Sequence, residues 1–589
     1  MYISPQAATT PSVRTRRVRL IAAALAVPAL VAAGISPSAT AAPAPGTADE
    51  AVVQYQVAPS GGNSRDALAQ SLLAAGYDVY GGGDGALFVH APASAGVVLA
   101  ARTDLSVLAA NTQVIDFGQV APASQDAVLP ARLDGVDYAT FYGGYRTADA
   151  FVEFTEDLAV AYPELVKTVK YGDTFTGAND LRAVCITSGA DAGCGLDPAV
   201  DKARFLLAGQ IHARELSTSE LTWRMMSYLV DGYGQSADVT AMLDETEFWV
   251  VPQINPDGVE TVQQGITEDG TGSTSNAWQR KNLNPGTIGC GTGDGSQIGV
   301  DLNRNFASNY GGAGTSTFQC SLVYRGTGVA SEPETDKTQD LIRDLFEDQR
   351  GPGVNDPAPP TTRGALISLH SYSNLVLFPY GDSRTTPNDA GLRSMGFRMS
   401  DYNGYETGQA NEILYEVTGS TDDFSYEKLG IAAFTYEIGP GSGACAGFFP
   451  AYSCQDTFWQ LNRDAVLYGA AAAQQPYTQA LGPTTSRARA RDRGATRAKV
   501  TAFADDDAYG ASGVGRPTSQ NVIAGRVFLD AAPWDGGTPK AMTVVGTGKQ
   551  VDLQARVRRA AQERYAWVQA RDAQGNWGPV DVLWISARA

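Results

Sequence analysis

The chain reads as an α/β protein, a mixed sheet flanked by helices, with a small α+β unit before it and a β-sandwich after it. Two patterns and the chain's length point there. Between about Asp134 and Tyr477, apolar strand-like runs alternate with amphipathic helix-like runs, as expected of a helix-flanked sheet. Beyond residue 498, short apolar runs recur between turn residues, among them Asp572, Gly575 and Asn576, in the manner of a small sandwich. With 589 residues, 43% of them hydrophobic, there is material for several folding units with cores of their own.

Taken in order, residues 1–41 combine a basic stretch (Arg14 to Arg19), an apolar run from Leu20 to Ala33 and a small-residue site at Ala39-Thr40-Ala41, which predicts a secretory signal peptide and an extracellular protein. The apolar run falls short of the roughly 20 residues of a spanning helix, so no stable membrane anchor is expected. Thr15-Arg16-Arg17 also fits part of a twin-arginine signal, which leaves the export route open. Residues 42–133 are expected to form a compact α+β pro-segment. Its strands are Ala51 to Val57 and Ala86 to Val89, its helices Asp66 to Ala75 and Ser94 to Ala101, and Leu105 to Ile115 completes it.

In 134–477 the spacing predicts helices over Ala148 to Ala161 and Ser219 to Tyr233, and strands over Arg204 to Gly209 and Glu247 to Pro252. Residues 478–498 read as a linker, because Ser486-Arg487-Ala488-Arg489-Ala490-Arg491-Asp492-Arg493 is basic, of low complexity and hard to bury. In 499–589, strands are expected at Lys499 to Phe503, Val522 to Leu529, Val551 to Val557, Tyr565 to Arg571 and Val580 to Ile585. Composition does not name a partner for this last unit.

The net charge is −19, and since the four arginines of residues 1–41 are the only charges there, the remainder carries −23. So acidic a chain is a poor non-specific nucleic-acid binder, and no nucleic-acid partner is expected. Six cysteines in an exported chain are most simply three disulfides, with proximity favouring Cys185–Cys194, Cys290–Cys320 and Cys445–Cys454. No Cys-x-x-Cys pair supports a cysteine-based zinc site.

The chemistry centres on histidine, of which there are three. His212 and Glu215 stand three positions apart in Ile211-His212-Ala213-Arg214-Glu215, a spacing that lets both side chains reach one ion. A distant histidine could complete a three-ligand zinc site with the fourth position open to water. His370 is the better candidate, because Gly364 to Leu369 reads as a buried strand ending at it, and strand ends are where sites form in α/β sheets. His90 lies in the pro-segment and reads as structural or exposed. The His-x-x-Glu pair is a weak signal alone. It gains from Asp301-Leu302-Asn303-Arg304-Asn305-Phe306, an arginine loop between Cys290 and Cys320 suited to binding a carboxylate. Phe434-Thr435-Tyr436-Glu437 adds a second strand ending in a carboxylate fit to act as general base.

In combination these motifs resemble the zinc carboxypeptidases of the carboxypeptidase A and B type, in particular secreted bacterial members such as carboxypeptidase T. The resemblance runs from about Asp134 to Tyr477 through His212 to Glu215, Arg280-Lys281-Asn282, Asp301 to Asn305, His370-Ser371-Tyr372, Tyr415 through Asp423 and Phe434 through Glu437. It implies the fold of that family, one Zn2+ held by His212, Glu215 and His370, and Asp301 supporting the first histidine from behind. It further implies Glu437 as general base and Arg280 as oxyanion donor. Asn303, Arg304 and Tyr415, with Arg214 nearby, would hold the terminal carboxylate of a peptide or protein substrate. Asp422 matches the pocket position that is acidic in members accepting C-terminal Lys or Arg, which implies a basic or mixed basic and hydrophobic preference. The sequence departs from the family's form at Trp278-Gln279-Arg280-Lys281, where tryptophan is expected to adjoin the arginine directly. An amidase or cell-wall peptidase on the same fold, and an inactive secreted binding protein, are the alternatives.

Overall fold

The computed structural model describes residues 52–81, 85–112, 144–269, 275–290, 297–492, 496–558 and 565–585. The expected signal peptide and the end of the expected pro-segment lie outside these residues. Three sheets organise the rest. The first is four-stranded, in the order β2-β3-β1-β4, from β1 (Val52–Pro59), β2 (Asp78–Gly81), β3 (Leu87–Pro92) and β4 (Leu105–Thr112). With helices α1 (Arg65–Ala74) and α2 (Ala95–Ala100) it makes the small α+β unit expected from the sequence. Ser64 caps α1 by accepting from the Ala67 amide at 3.1 Å.

The central sheet has eight strands in the order β11-β10-β12-β9-β7-β8-β6-β5. They are β5 (Val166–Asp173), β6 (Asp180–Ile186), β7 (Ala203–Ala208), β8 (Thr246–Val251), β9 (Ala365–His370), β10 (Leu375–Leu377), β11 (Glu406–Gly408) and β12 (Ala432–Glu437). The four middle strands are parallel and their neighbours mixed. β7, β8 and β9 are buried along their whole length, as sheets covered on both faces require. One face packs on α3 (Ala148–Ala161), α4 (Leu216–Gly232), α5 (Ala237–Glu245), α8 (Asp389–Asn403) and α11 (Cys454–Ala472), with Phe154, Trp223, Val239, Met395 and Trp459 in one apolar cluster. The other face packs on α7 (Pro333–Leu345) and α10 (Thr421–Leu429) through Ile342 and Phe424. Helix α6 (Pro256–Asp269) follows β8, and the one-turn α9 (Ala410–Ile413) follows β11. The chain leaves β7 for β8 on one side and later lays β9 on the other, which creates a switch point at the carboxyl ends of β7 and β9, where α/β sheets place their sites. The three disulfides are Cys185–Cys194, Cys290–Cys320 and Cys445–Cys454, as proximity predicts.

The third sheet is antiparallel, in the order β13-β14-β17-β16-β15-β18-β19: β13 (Thr484–Asp492), β14 (Arg497–Asp505), β15 (Val522–Phe528), β16 (Lys540–Val545), β17 (Gln550–Arg558), β18 (Tyr565–Asp572) and β19 (Asp581–Trp584). Val500, Leu553, Val568 and Leu583 from its two halves share one core, so the halves face each other as a sandwich. The linker reading of 478–498 is corrected here, because residues 484–492 are a paired strand and not a tether. The arginine–alanine alternation has period two: Arg487, Arg489 and Arg491 point to solvent while Ala488 and Ala490 turn inward. The sandwich is also docked, through Tyr565, Trp567 and Val582 against Ala237 and Ala241 of α5. No helix among the described residues is long and apolar enough to cross a membrane.

The α+β unit lies on the central domain. Leu68, Leu72, Val57 and Leu87 share an apolar cluster with Leu375, Leu377, Leu414 and Tyr415. Polar contacts frame it: Arg65 donates to the Glu412 carbonyl at 2.5 Å, and the Glu416 amide donates to Asp66 at 2.8 Å.

Candidate active site

β7 ends at Ala208 and passes into a tight turn that carries His212, with Glu215 at the N-terminal boundary of α4. His370 is the last residue of β9. His212 Nδ1 lies 2.8 Å from Glu215 Oε1, and His370 Nδ1 lies 3.2 Å from His212 Nδ1 and 3.2 Å from Glu215 Oε2. The other ring nitrogens are anchored behind: His212 Nε2 is 3.1 Å from Asp301 Oδ1, and His370 Nε2 is 3.2 Å from the Ser368 hydroxyl. Zinc bonds of about 2.0–2.1 Å in a tetrahedral site put neighbouring ligand atoms about 3.3 Å apart, so this buried set fits a zinc ion in spacing and in chemistry. A second grouping, Cys185, Cys194 and Glu247, is no metal site because both sulfurs are in a disulfide. Burial and the Arg280 charge hold His212 below its ordinary pKa. Burial works against charge on Glu215 too, but the two imidazoles outweigh it and keep the carboxyl well below the usual range.

Glu437 ends β12 and pairs in register with His370. Burial pushes its carboxyl up to about 8, against the pull of His370, Arg280 and Arg304; a divalent cation beside it acts in the opposite direction. Arg280 donates from Nε and Nη2 to Asp301 Oδ2 at 3.2 and 2.9 Å, and its Nη1 lies 3.8 Å from Glu215. Burial disfavours the Arg280 charge, yet Asp301 outweighs it and keeps the guanidinium protonated. Asp301 thus grips His212 with one oxygen and Arg280 with the other, and despite burial Arg280 and Arg304 hold it as a carboxylate.

Asn303 and Arg304 follow in a short 3-10 turn over Leu302–Arg304. Asn303 Oδ1 accepts from the Thr421 amide at 2.9 Å, and Arg304 Nε donates to the Gly314 carbonyl at 2.8 Å. Gly419 has φ +73°, and a Cβ there would meet the Arg304 carbonyl, so only glycine lets this loop close over the arginine. Tyr415 keeps its phenol proton, because burial raises its pKa. Asp422 stands in the first turn of α10. Its neighbour Asp423 accepts from the Gly381 amide at 2.9 Å, and burial with the Asp422 charge pushes it well above the carboxylate range. One cavity is lined by Glu437, Arg280, Asn303, Arg304, Tyr415 and Asp422 together with His212, Glu215 and His370. Asp301 supports it from outside. Arg214 stands apart from the cavity: its Nη2 is 2.7 Å from Asp78 Oδ2, it donates to the Tyr80 hydroxyl, and it lies 4.3 Å over the Phe448 ring.

A sequence profile for the zinc carboxypeptidase family matches residues 151–465, more than half of the chain. The chain belongs to the zinc carboxypeptidase family. It is 29% identical over 306 residues to mouse (Mus musculus) carboxypeptidase A4, covering 50% of this chain and 63% of that protein. It is 29% identical over 315 residues to rat (Rattus norvegicus) carboxypeptidase A1, covering 52% and 64%. The chain therefore spans a little under two thirds of these relatives' length. In structure it superposes on carboxypeptidase A from Helicoverpa armigera with a TM-score of 0.56 at 18% identity, covering 72% of this chain and 98% of that one. Thrombin-activatable fibrinolysis inhibitor superposes with a TM-score of 0.53 at 22% identity, covering 73% and 98%. Both likenesses bear on the fold.

Within this zinc carboxypeptidase site, sequence reasoning missed the wall supplied by the α+β unit. Tyr80 of β2 lines the cavity and stacks on Tyr372 at 5.3 Å. Four residues of strand with one short alternation gave no usable signal. His90 is buried, as the structural reading had it, and not exposed; its Nε2 is 2.9 Å from the Tyr372 hydroxyl, and burial pulls it down to about 4. Lys281 has a structural role that its motif does not reveal. Its ammonium donates to the carbonyls of Gln319 and Ser321 at 2.9 and 2.8 Å, on either side of Cys320, and burial pulls it down to about 7.

Proposed function

We propose that the protein is a secreted zinc-dependent carboxypeptidase, made as a zymogen, that releases single C-terminal residues from peptides with a basic or mixed preference, in the manner of carboxypeptidase T. One observation carries this reading: Glu437, Arg280 and the trio Asn303, Arg304 and Tyr415 share a cavity with His212, Glu215 and His370. Zinc held by those three would supply Lewis acidity, acidifying water and polarising a carbonyl. Arg304, with the Asn303 amide and the Tyr415 hydroxyl, binds the substrate's terminal carboxylate, which restricts the reaction to the last peptide bond. Glu437 takes a proton from the attacking water as its oxygen bonds to the carbonyl carbon, then delivers that proton to the leaving nitrogen as the C–N bond breaks. Arg280 donates to the oxygen on which negative charge develops, where a buried, prealigned donor is worth most. Asp422 on the cavity wall favours a cationic side chain, since a carboxylate rejects apolar groups that leave it unpaired.

The α+β unit supports the zymogen part. Tyr80 lines the cavity and the Asp78–Arg214 pair fastens β2 beside it, so residues 42–133 would block the cleft until they are cut away. The test is hydrolysis of peptides ending in Lys, Arg or Phe by the chain before and after cleavage near Arg132, followed by mass spectrometry. Loss of one residue at a time, faster after cleavage, is expected. Equal rates before and after cleavage contradict the inhibitory role, and release of Phe alone contradicts the role of Asp422.

A further inference from the structure

Arg280 sits in a stretch without regular pairing. Residues 279–282 belong to no helix or strand, and Trp278 to Asn282 are all buried. A buried irregular segment must find a partner for every peptide group, and here two carboxamides supply several of them. Gln297 Oε1 accepts from the Arg280 amide at 2.9 Å, and its Nε2 donates to the Trp278 carbonyl at 2.6 Å. The backbone amide of Gln297 donates to the Cys320 carbonyl at 3.1 Å, which pins it to the disulfide-braced loop. Gln279 Nε2 lies 3.1–3.2 Å from the carbonyls of Lys281, Asn282 and Ile298. On its other side Arg280 accepts from the Ala213 amide at 3.0 Å, inside the turn that carries His212 and Glu215. Arg280 is therefore held at its N–H by Gln297, at its carbonyl by the metal-ligand turn and at its guanidinium by Asp301. A carboxamide carries a donor and an acceptor in one plane and so stands in for the peptide group that a neighbouring strand would otherwise present. Gln279, the residue inserted between Trp278 and Arg280, is accommodated by this clamp.

We propose that Gln297 is a positioning residue for Arg280, fixing the backbone from which the guanidinium reaches the developing oxyanion. The role rests on the peptidase reading above. Because the oxyanion exists only in the transition state, loosening Arg280 slows the chemical step and leaves ground-state binding in place. Gln297→Met removes both hydrogen bonds at similar volume. Gln297→Glu keeps the acceptor, and once protonated regains a donor for the Trp278 carbonyl.

The full-length chain, cut to release its pro-segment and checked for equal zinc content, is assayed for kcat, KM, inhibition by a phosphonate peptide that imitates the tetrahedral intermediate, and inhibition by the free product amino acid. For Gln297→Met the expected result is a kcat about tenfold lower and phosphonate inhibition weaker by the same factor, with KM and product inhibition within about twofold of the parent. For Gln297→Glu the deficit shrinks as the pH is lowered. A Gln297→Met kcat within about twofold of the parent overturns the proposal, as does a loss shared equally by KM and product inhibition, which marks general distortion of the site. A parent that releases no residue at all sinks the peptidase reading and this role with it.

Discussion

Replacing Asp78 by alanine should switch on the uncut chain. The Asp78–Arg214 pair spans the boundary between the α+β unit and the catalytic domain at 2.7 Å, with side chains 5% and 0% exposed. Removing one partner of a buried pair costs about 3–5 kcal/mol. Part of that is recovered in the closed state, where Arg214 keeps the Tyr80 hydroxyl and the Phe448 ring. A net loss of about 2–3 kcal/mol from closure, at about 1.4 kcal/mol per tenfold, raises the open fraction about 30- to 150-fold. The packing of Val57, Leu68, Leu72 and Leu87 inside the unit is untouched, so the unit stays folded. The assay is the initial rate of peptide hydrolysis by uncut Asp78→Ala and uncut parent, with mass spectrometry verifying that neither is nicked. The cut forms of both should match, since residue 78 is then gone. An uncut variant no faster than the uncut parent refutes the reasoning.

Three further outcomes are expected. Asp422→Leu should lower kcat/KM for peptides ending in Lys or Arg about 10- to 100-fold while sparing those ending in Phe; an unchanged ratio removes Asp422 from specificity. At the seam between α5 and the sandwich, Glu245 shares a hydrogen bond with Asp535 and Asp581 faces Asp238, and burial together with the neighbouring carboxylate pushes both Glu245 and Asp581 up to about 7. Both titrate near 4 when unfolded, so the native state holds extra protons between about pH 4 and pH 7, and the stability they contribute is lost as the pH rises through that window. The Tm advantage of a Glu245→Gln, Asp581→Asn double variant over the parent should therefore grow from pH 4 to pH 7 and then level off; a difference independent of pH disproves the pairing. Arg398 of α8 donates to the Ala480 carbonyl at 2.8 Å, the Tyr509 hydroxyl at 2.9 Å and Asp506 at 3.3 Å. Arg398→Ala should cost about 3–5 kcal/mol of docking and yield early proteolysis in the sandwich; a digestion pattern like the parent's counts against that tie.

The candidate site was legible because its residues lie in short motifs at the ends of apolar runs. Glu437 and His370 close strands of five or more buried residues, and their register brings them together without help from loops. Arg214 was harder. The same motif that fixes His212 and Glu215 places Arg214 beside them in sequence, but the turn sends its guanidinium to Asp78, a partner 136 positions earlier whose strand is four residues long. The strand over Thr484–Asp492 was hidden by composition: the arginines that make it look unstructured are its solvent face, and only the intervening alanines record the sheet. Gln297 carried no signal in the chain, since a carboxamide that pairs with backbone acquires its role from the fold around it.

The most direct test of the central claim pairs one peptide as free acid and as C-terminal amide, incubated with the cut chain in the presence of a zinc chelator, without it, and after zinc is restored. Release of the last residue from the free acid alone, abolished by the chelator and recovered with zinc, is the predicted result. Equal cleavage of the amide, or release that the chelator leaves untouched, would contradict a metal-dependent site built around the carboxylate clamp of Asn303, Arg304 and Tyr415.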